Sequence, residues 1–153
     1  LLFDGPKLQR RRQLDLYSQA SLLMVEPIVF RRLAMGETLA NASFSDQIMI
    51  NRDGMPIYID GLKLEGDLSA QLASPALGGG AVAVASVVLV RSDAAALLGL
   101  VRTRLPSTGA ASLLADDILS VRLLASDSFL LRKWLVPVLE LLRGSPLPTS
   151  WRL

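Results

Sequence analysis

The chain has 153 residues, with no cysteine and no histidine; 51% of it is hydrophobic and only 5% aromatic. Its formal net charge is +2, so the basic isoelectric point rests on a small excess of cations scattered among 14 acids. This composition describes one domain at most, and it excludes a disulfide framework, a Ser-His or Cys-His nucleophile and a zinc site of the Cys/His type. A nucleic-acid face would need denser charge and stacking aromatics, so none is expected. Any metal contact falls to carboxylates, carbonyls and water, which hold a transition metal weakly, so the expectation is transient contact and no tightly bound cofactor. The lack of cysteine is compatible with a cytoplasmic protein. The mean hydropathy of +0.42 is more apolar than an ordinary domain of this size needs. Either part of the surface meets a partner, or the chain is part of a larger core.

Leu1-Leu2-Phe3-Asp4-Gly5 has neither a basic n-region nor an apolar h-region, so no signal peptide is expected, and the missing initial Met suggests a piece of a longer protein. The Arg10-Arg11-Arg12 run reads as a solvated strand edge or turn. Gln13 to Tyr17 alternates polar and apolar residues, with Leu14 and Leu16 on one side, which predicts a half-buried strand. Ala20 to Phe30 reads as a strand bent at Glu26-Pro27. Phe44, Ile48 and Ile50 lead into Asn51-Arg52-Asp53-Gly54, and Ile57, Ile59 and Leu62 follow. Asp-Gly between two such runs predicts a two-residue hairpin, because both central turn residues need positive φ.

Leu68 to Val90 is 23 residues without a charge. Ser74 to Gly80 is a loop signal that would leave backbone groups unsatisfied in lipid, so the stretch reads as a buried strand and no membrane contact is expected. Val82 to Val90 is rich in β-branched residues and predicts a strand. Ser92 or Asp93 can cap a helix over Ala94 to Leu105, which Pro106 stops. Gly109 to Leu124 reads as one or two strands, with Asp116-Asp117 as turn or bulge. Ser126 or Asp127 caps a second helix to about Arg143. Its apolar face is Leu130, Leu131, Trp134, Leu135, Val138, Leu141 and Leu142, and Pro137 should kink or split it. The chain divides at the glycine loop into a β-rich 1–73 part and a strand–helix–strand–helix 81–153 part of one domain.

Several of these segments resemble one family. Leu1-Leu2-Phe3-Asp4-Gly5 is similar to the "ILFDG" segment of the UreD (UreH) urease accessory proteins, and Glu26 to Glu37 resembles that family's "GRxAxGE" block, with Arg32, Gly36 and Glu37 in their places. The Arg52-Asp53-Gly54 hairpin and the final Pro148-Thr149-Ser150-Trp151-Arg152 also match, in order and spacing. One position departs: Arg31 stands where the family has glycine, so either the backbone there tolerates a side chain or this copy is impaired.

The resemblance covers the whole chain and about the C-terminal half of a family member. It implies a mainly β fold with α, a β-helix-like solenoid of strands carrying two C-terminal helices, as a fragment of a larger domain. It implies a non-enzymatic scaffold for nickel insertion into urease apoprotein, in a complex with UreF and UreG, with nickel in transit and Glu37 as a transient nickel contact. Arg32 is expected to pair with a carboxylate. Asp4 and Asp60 read as turn chemistry, and Asp116-Asp117, which could be a paired-carboxylate catalytic site, reads more simply as a polar turn between two apolar strands. Trp134 and Trp151 read as core or interface anchors. Two alternatives stand beside the scaffold: a β-rich interaction module of another family, and a carboxylate-only hydrolase.

Overall fold

The computed structural model describes residues 7–30, 41–75 and 79–151. These fall into two compact units, one holding residues 7–20, 41–75 and 79–80, the other 21–30 and 81–151. The mainly β class with helices toward the C-terminus is what the described residues show. Chain order and unit membership differ, however, because a strand from the early part of the sequence belongs to the later unit.

In the first unit β1 (Lys7–Leu16) runs parallel to β3 (Ala42–Arg52), which pairs antiparallel with β4 (Met55–Gly66). The hairpin forms at the expected place. Arg52 pairs with Met55, leaving Asp53 at φ 49° and Gly54 at φ 81°, the two left-handed residues that a tight hairpin matching strand twist requires. Just beyond it the register slips by one residue, from Ile50↔Tyr58 to Asn51↔Pro56, so Ile57 is the extra residue of a bulge. The alternation read as Ile57, Ile59, Leu62 therefore crosses faces: Tyr58 is buried, and Ile59 is 58% exposed.

Leu68–Ala73 is a short helix, α1, and not part of a strand. The Asp67 carboxylate accepts the Ala70 N–H at 3.0 Å, and Leu68 and Leu72, one turn apart, are both buried. Local capping decides the conformation of a segment whose apolar run alone does not.

The second unit is an antiparallel sheet in the order β2-β5-β7-β6, built from β2 (Leu22–Val29), β5 (Ala83–Val90), β6 (Gly109–Ala115) and β7 (Ile118–Ala125). Pro27 sits within β2 and does not break it. Phe30 N–H bonds Val82 C=O at 2.8 Å and Pro27 faces Ala85, so the alternating ladder turns the Pro27 nitrogen to the open side, where an edge strand tolerates it. Ala83, Ala85, Val87 and Leu89 of β5 and Leu119, Val121 and Leu123 of β7 form one face. Against it pack α2 (Ala94–Arg104) and α3 (Ser128–Arg143).

Asp127 caps α3 through the Leu130 N–H at 2.7 Å, and Gly144 ends it in the left-handed conformation, φ 76°. The helix is continuous through Pro137 and is not split. Its buried residues are Leu131, Leu135, Val138, Leu139 and Leu142. No helix among the described residues is long and apolar enough to cross a membrane.

Candidate functional site

A strand with one buried face places every second side chain inside, whatever its chemistry. On β3 those positions are Ala42, Phe44, Asp46, Ile48 and Ile50, all buried, so a carboxylate sits in the middle of an apolar row. The parallel register sets Leu8 beside Phe44, Arg10 beside Asp46 and Arg12 beside Ile48. The antiparallel partner brings Leu62 opposite Asp46 and Asp60 opposite Ile48.

Arg10 Nη2 donates to Asp46 Oδ2 at 3.0 Å, and Arg12 Nη1 lies 3.6 Å from Asp46 Oδ1. The Arg10 guanidinium also stands over the Phe44 ring, 5.7 Å from its centre, where the ring's quadrupole favours a cation. Asp46 is 6% exposed while the two arginine side chains keep 27% and 33%. The arginine stems thus cover the strand while their heads reach toward water, and the acid lies beneath them. Neither Arg10 Nε nor Asp46 Oδ1 has a hydrogen-bond partner among the described residues, which leaves the cluster under-satisfied for its depth.

On the other face of the sheet Asn51 Nδ2 donates to Asp15 Oδ1 at 2.9 Å. In the second unit Arg91, just after β5, donates from Nη1 to the Leu142 carbonyl at 2.8 Å and from Nη2 to Asp93 at 3.0 Å. Those hydrogen bonds from Arg91 hold the Asp93 carboxyl below the ordinary carboxylate range, and the same bonds raise Arg91. Asp93 stands at the N-cap of α2 but makes no capping hydrogen bond there, because its carboxylate is engaged by Arg91. This is a clamp on the last turn of α3.

The chemistry available follows from these contacts. Asp46 is already covered by two guanidiniums, so in this arrangement it is an anion among cations and not an open cation ligand. Among the described residues no three His, Cys, Asp or Glu side chains converge as a metal set.

Of the residues singled out in the sequence, Phe3, Asp4, Gly5, Arg31, Arg32, Gly36 and Glu37 lie outside the described residues. Asp60 is inside β4, half-buried, and not at a turn; its Oδ1 accepts the Gly61 N–H at 2.9 Å. Asp116 and Asp117 form the two-residue link between Ala115 and Ile118, the paired ends of β6 and β7. Trp134 and Trp151 are half-buried against the helix–sheet core. The Arg10–Arg12 run divides by parity: Arg11 is exposed, while Arg10 and Arg12 turn toward Asp46. Asp46 itself was missed. The signal was present, because it lies two residues from both Phe44 and Ile48 and so shares their side of a strand.

The family described as UreD urease accessory protein matches residues 1–152. A urease accessory protein UreD of Ruegeria pomeroyi is 46% identical over 151 residues, covering 99% of this chain and 59% of that protein. The Roseobacter denitrificans protein of the same name is 42% identical over 153 residues, covering 100% and 56%. That of Rhizobium etli is 40% identical over 154 residues, again covering 100% and 56%. The chain thus spans somewhat more than half the length of the curated relatives it matches.

Proposed function

The chain belongs to the UreD urease accessory protein family, and from that premise we propose that the protein it represents is a non-enzymatic scaffold for nickel insertion into urease apoprotein. One observation carries this: the family match extends over residues 1–152, with 40–46% identity to the relatives named above. In this reading it works in the cytoplasm in a complex with UreF and UreG, and nickel is its cargo. In the same reading the strands of the family-length protein form a solenoid.

The chemistry of the chain is consistent with a carrier that lets go. It has no histidine or cysteine, so oxygen ligands alone could meet nickel here, and these bind it weakly enough to release it. Glu37, which closes the family's charged block, is the proposed transient contact. Asp46 is a poorer candidate because Arg10 and Arg12 already hold it.

The test is complementation. A urease-positive host lacking its own family member should regain urease activity when the family-length protein is supplied. Glu37→Gln keeps size and hydrogen bonding but removes the charge. It should leave UreF co-purification intact, lower urease activation, and be partly rescued by added nickel. Full activation by this variant would return Glu37 to a turn-stabilising role, and no complementation by the unaltered protein would remove the scaffold reading.

A further inference from the structure

The two edges of the four-stranded sheet are protected differently. An edge strand presents a row of backbone donors and acceptors that a strand of another molecule can complete. β2 carries its own protection, Pro27 with its nitrogen toward the open side and the charged Glu26 beside it. β6, the opposite edge, reads GAASLLA, with neither a charge nor a proline, and its Leu114 is 55% exposed. An uncharged, apolar edge of this kind invites pairing with a second copy of itself.

The ladder fixes which groups of β6 look outward. The Leu124 N–H donates to the Thr108 carbonyl at 3.1 Å, and the register continues through Ala110↔Arg122 and Ser112↔Ser120. Bonding and non-bonding pairs alternate along an antiparallel ladder, so Ala111 and Leu113 turn their N–H and C=O away from β7. The Ala111 carbonyl on that open side accepts Arg102 Nε at 3.2 Å and Arg102 Nη2 at 3.1 Å. Arg102 reaches it from the last turn of α2, next to the buried Val101. The link that follows is tight. The Gly109 N–H bonds the Pro106 carbonyl at 3.0 Å, and a Cβ at Gly109 would stand 2.8 Å from Leu123 Cδ1. The helix end is thus held close to the strand that Arg102 covers.

We propose that Arg102 guards the β6 edge by occupying the acceptor that an added strand would need, and that without it β6 pairs antiparallel with β6 of a second copy. The occupant follows from charge and symmetry. β6 brings no like charges together when it meets itself, and antiparallel pairing of a strand with its own copy has the two-fold symmetry of a closed dimer. The register shift between Leu113 and Ala115 limits the regular stretch to residues 109–113, with Ala111 at its centre. This goes beyond the scaffold reading and does not depend on it.

The experiment uses the purified family-length protein, its mass followed by light scattering over a wide range of concentration. Arg102→Ala should dimerise at least about ten-fold more tightly than the unaltered protein. Arg104→Ala, which removes an exposed cation from the same helix turn, should not. Leu114→Lys added to Arg102→Ala should restore the monomer, because it sets a charge on the edge. Amide exchange separates pairing from loosening: in Arg102→Ala the Ala111 and Leu113 amides should gain protection as concentration rises, whereas a loosened strand would lose it at every concentration. Arg102→Met keeps the stem and removes the donors, so it tests the guard should Arg102→Ala fold poorly. Folded Arg102 variants with the mass of the unaltered protein at every concentration would overturn the proposal. So would association that Leu114→Lys leaves intact, or an unaltered protein already dimeric with its Ala111 and Leu113 amides protected.

Discussion

The two units bury different things. The four-stranded sheet and its helices enclose a core of Ala, Val and Leu, with no charged residue in the cluster. The three-stranded sheet buries Phe44, Ile48, Ile50 and Tyr58, but also Asp46 beneath Arg10 and Arg12. The first arrangement is held by transfer of apolar surface from water, which is insensitive to direction. In the second, an ion pair is partly offset by the desolvation of its own members, so it adds little net stability while it fixes which strand positions meet. A parallel edge strand such as β1 has no hairpin turn to set its register. The Arg10–Asp46 pairing makes a shift of β1 costly, because a one-residue slip would turn Arg10 and Arg12 to the other face.

Opening the apolar core should have the largest effect on stability. Leu119 is fully buried between the helices and the sheet, and Leu119→Ala should cost about 2–5 kcal/mol. Denaturant melts of the family-length protein would show it as a lower midpoint at unchanged slope. A loss under about 1 kcal/mol would mean that the site collapses and that the core is softer than its packing indicates.

The charged cluster should answer differently to single and double changes. Asp46→Asn leaves two guanidiniums without their anion and should cost about 1–3 kcal/mol, below the figure for a fully buried pair because both arginines reach solvent. Arg10→Met combined with Asp46→Leu should recover most of that loss. If the double variant is as unstable as the single one, the pair contributes net stability and the contrast between the units disappears.

Asp127→Ala removes the carboxylate that accepts the Leu130 N–H and should cost about 0.5–2 kcal/mol. Its effect should appear as earlier fraying of α3, read by amide exchange at Leu130 and Leu131.

Much of this architecture was legible where one residue type dictates one geometry. Asp53-Gly54 predicts its own turn, Asp127 and Gly144 bracket α3, and the β-branched residues of the run ending at Val90 favour the buried strand it forms. What was not legible depended on partners distant in sequence. Pro27 looked like a bend, yet it fits β2 because that strand is an edge, which only the pairing with β5 reveals. The bulge at Ile57 changes which of Tyr58 and Ile59 is buried, and no local propensity marks it. Arg10 and Arg12 looked solvated as a run of three; their inward turn needs Asp46, 36 residues away, in register beside them. Leu68–Ala73 was misread for the opposite reason, since the cap at Asp67 was local and visible.

If this family member serves nickel insertion, as proposed, the nickel content of urease depends on it. Urease purified from a host lacking the family member should contain little nickel per active site. Urease from the same host supplied with the family-length protein should contain nearly the full complement, at equal expression of the apoprotein. Equal nickel in the two preparations, with or without a difference in activity, would contradict the claim.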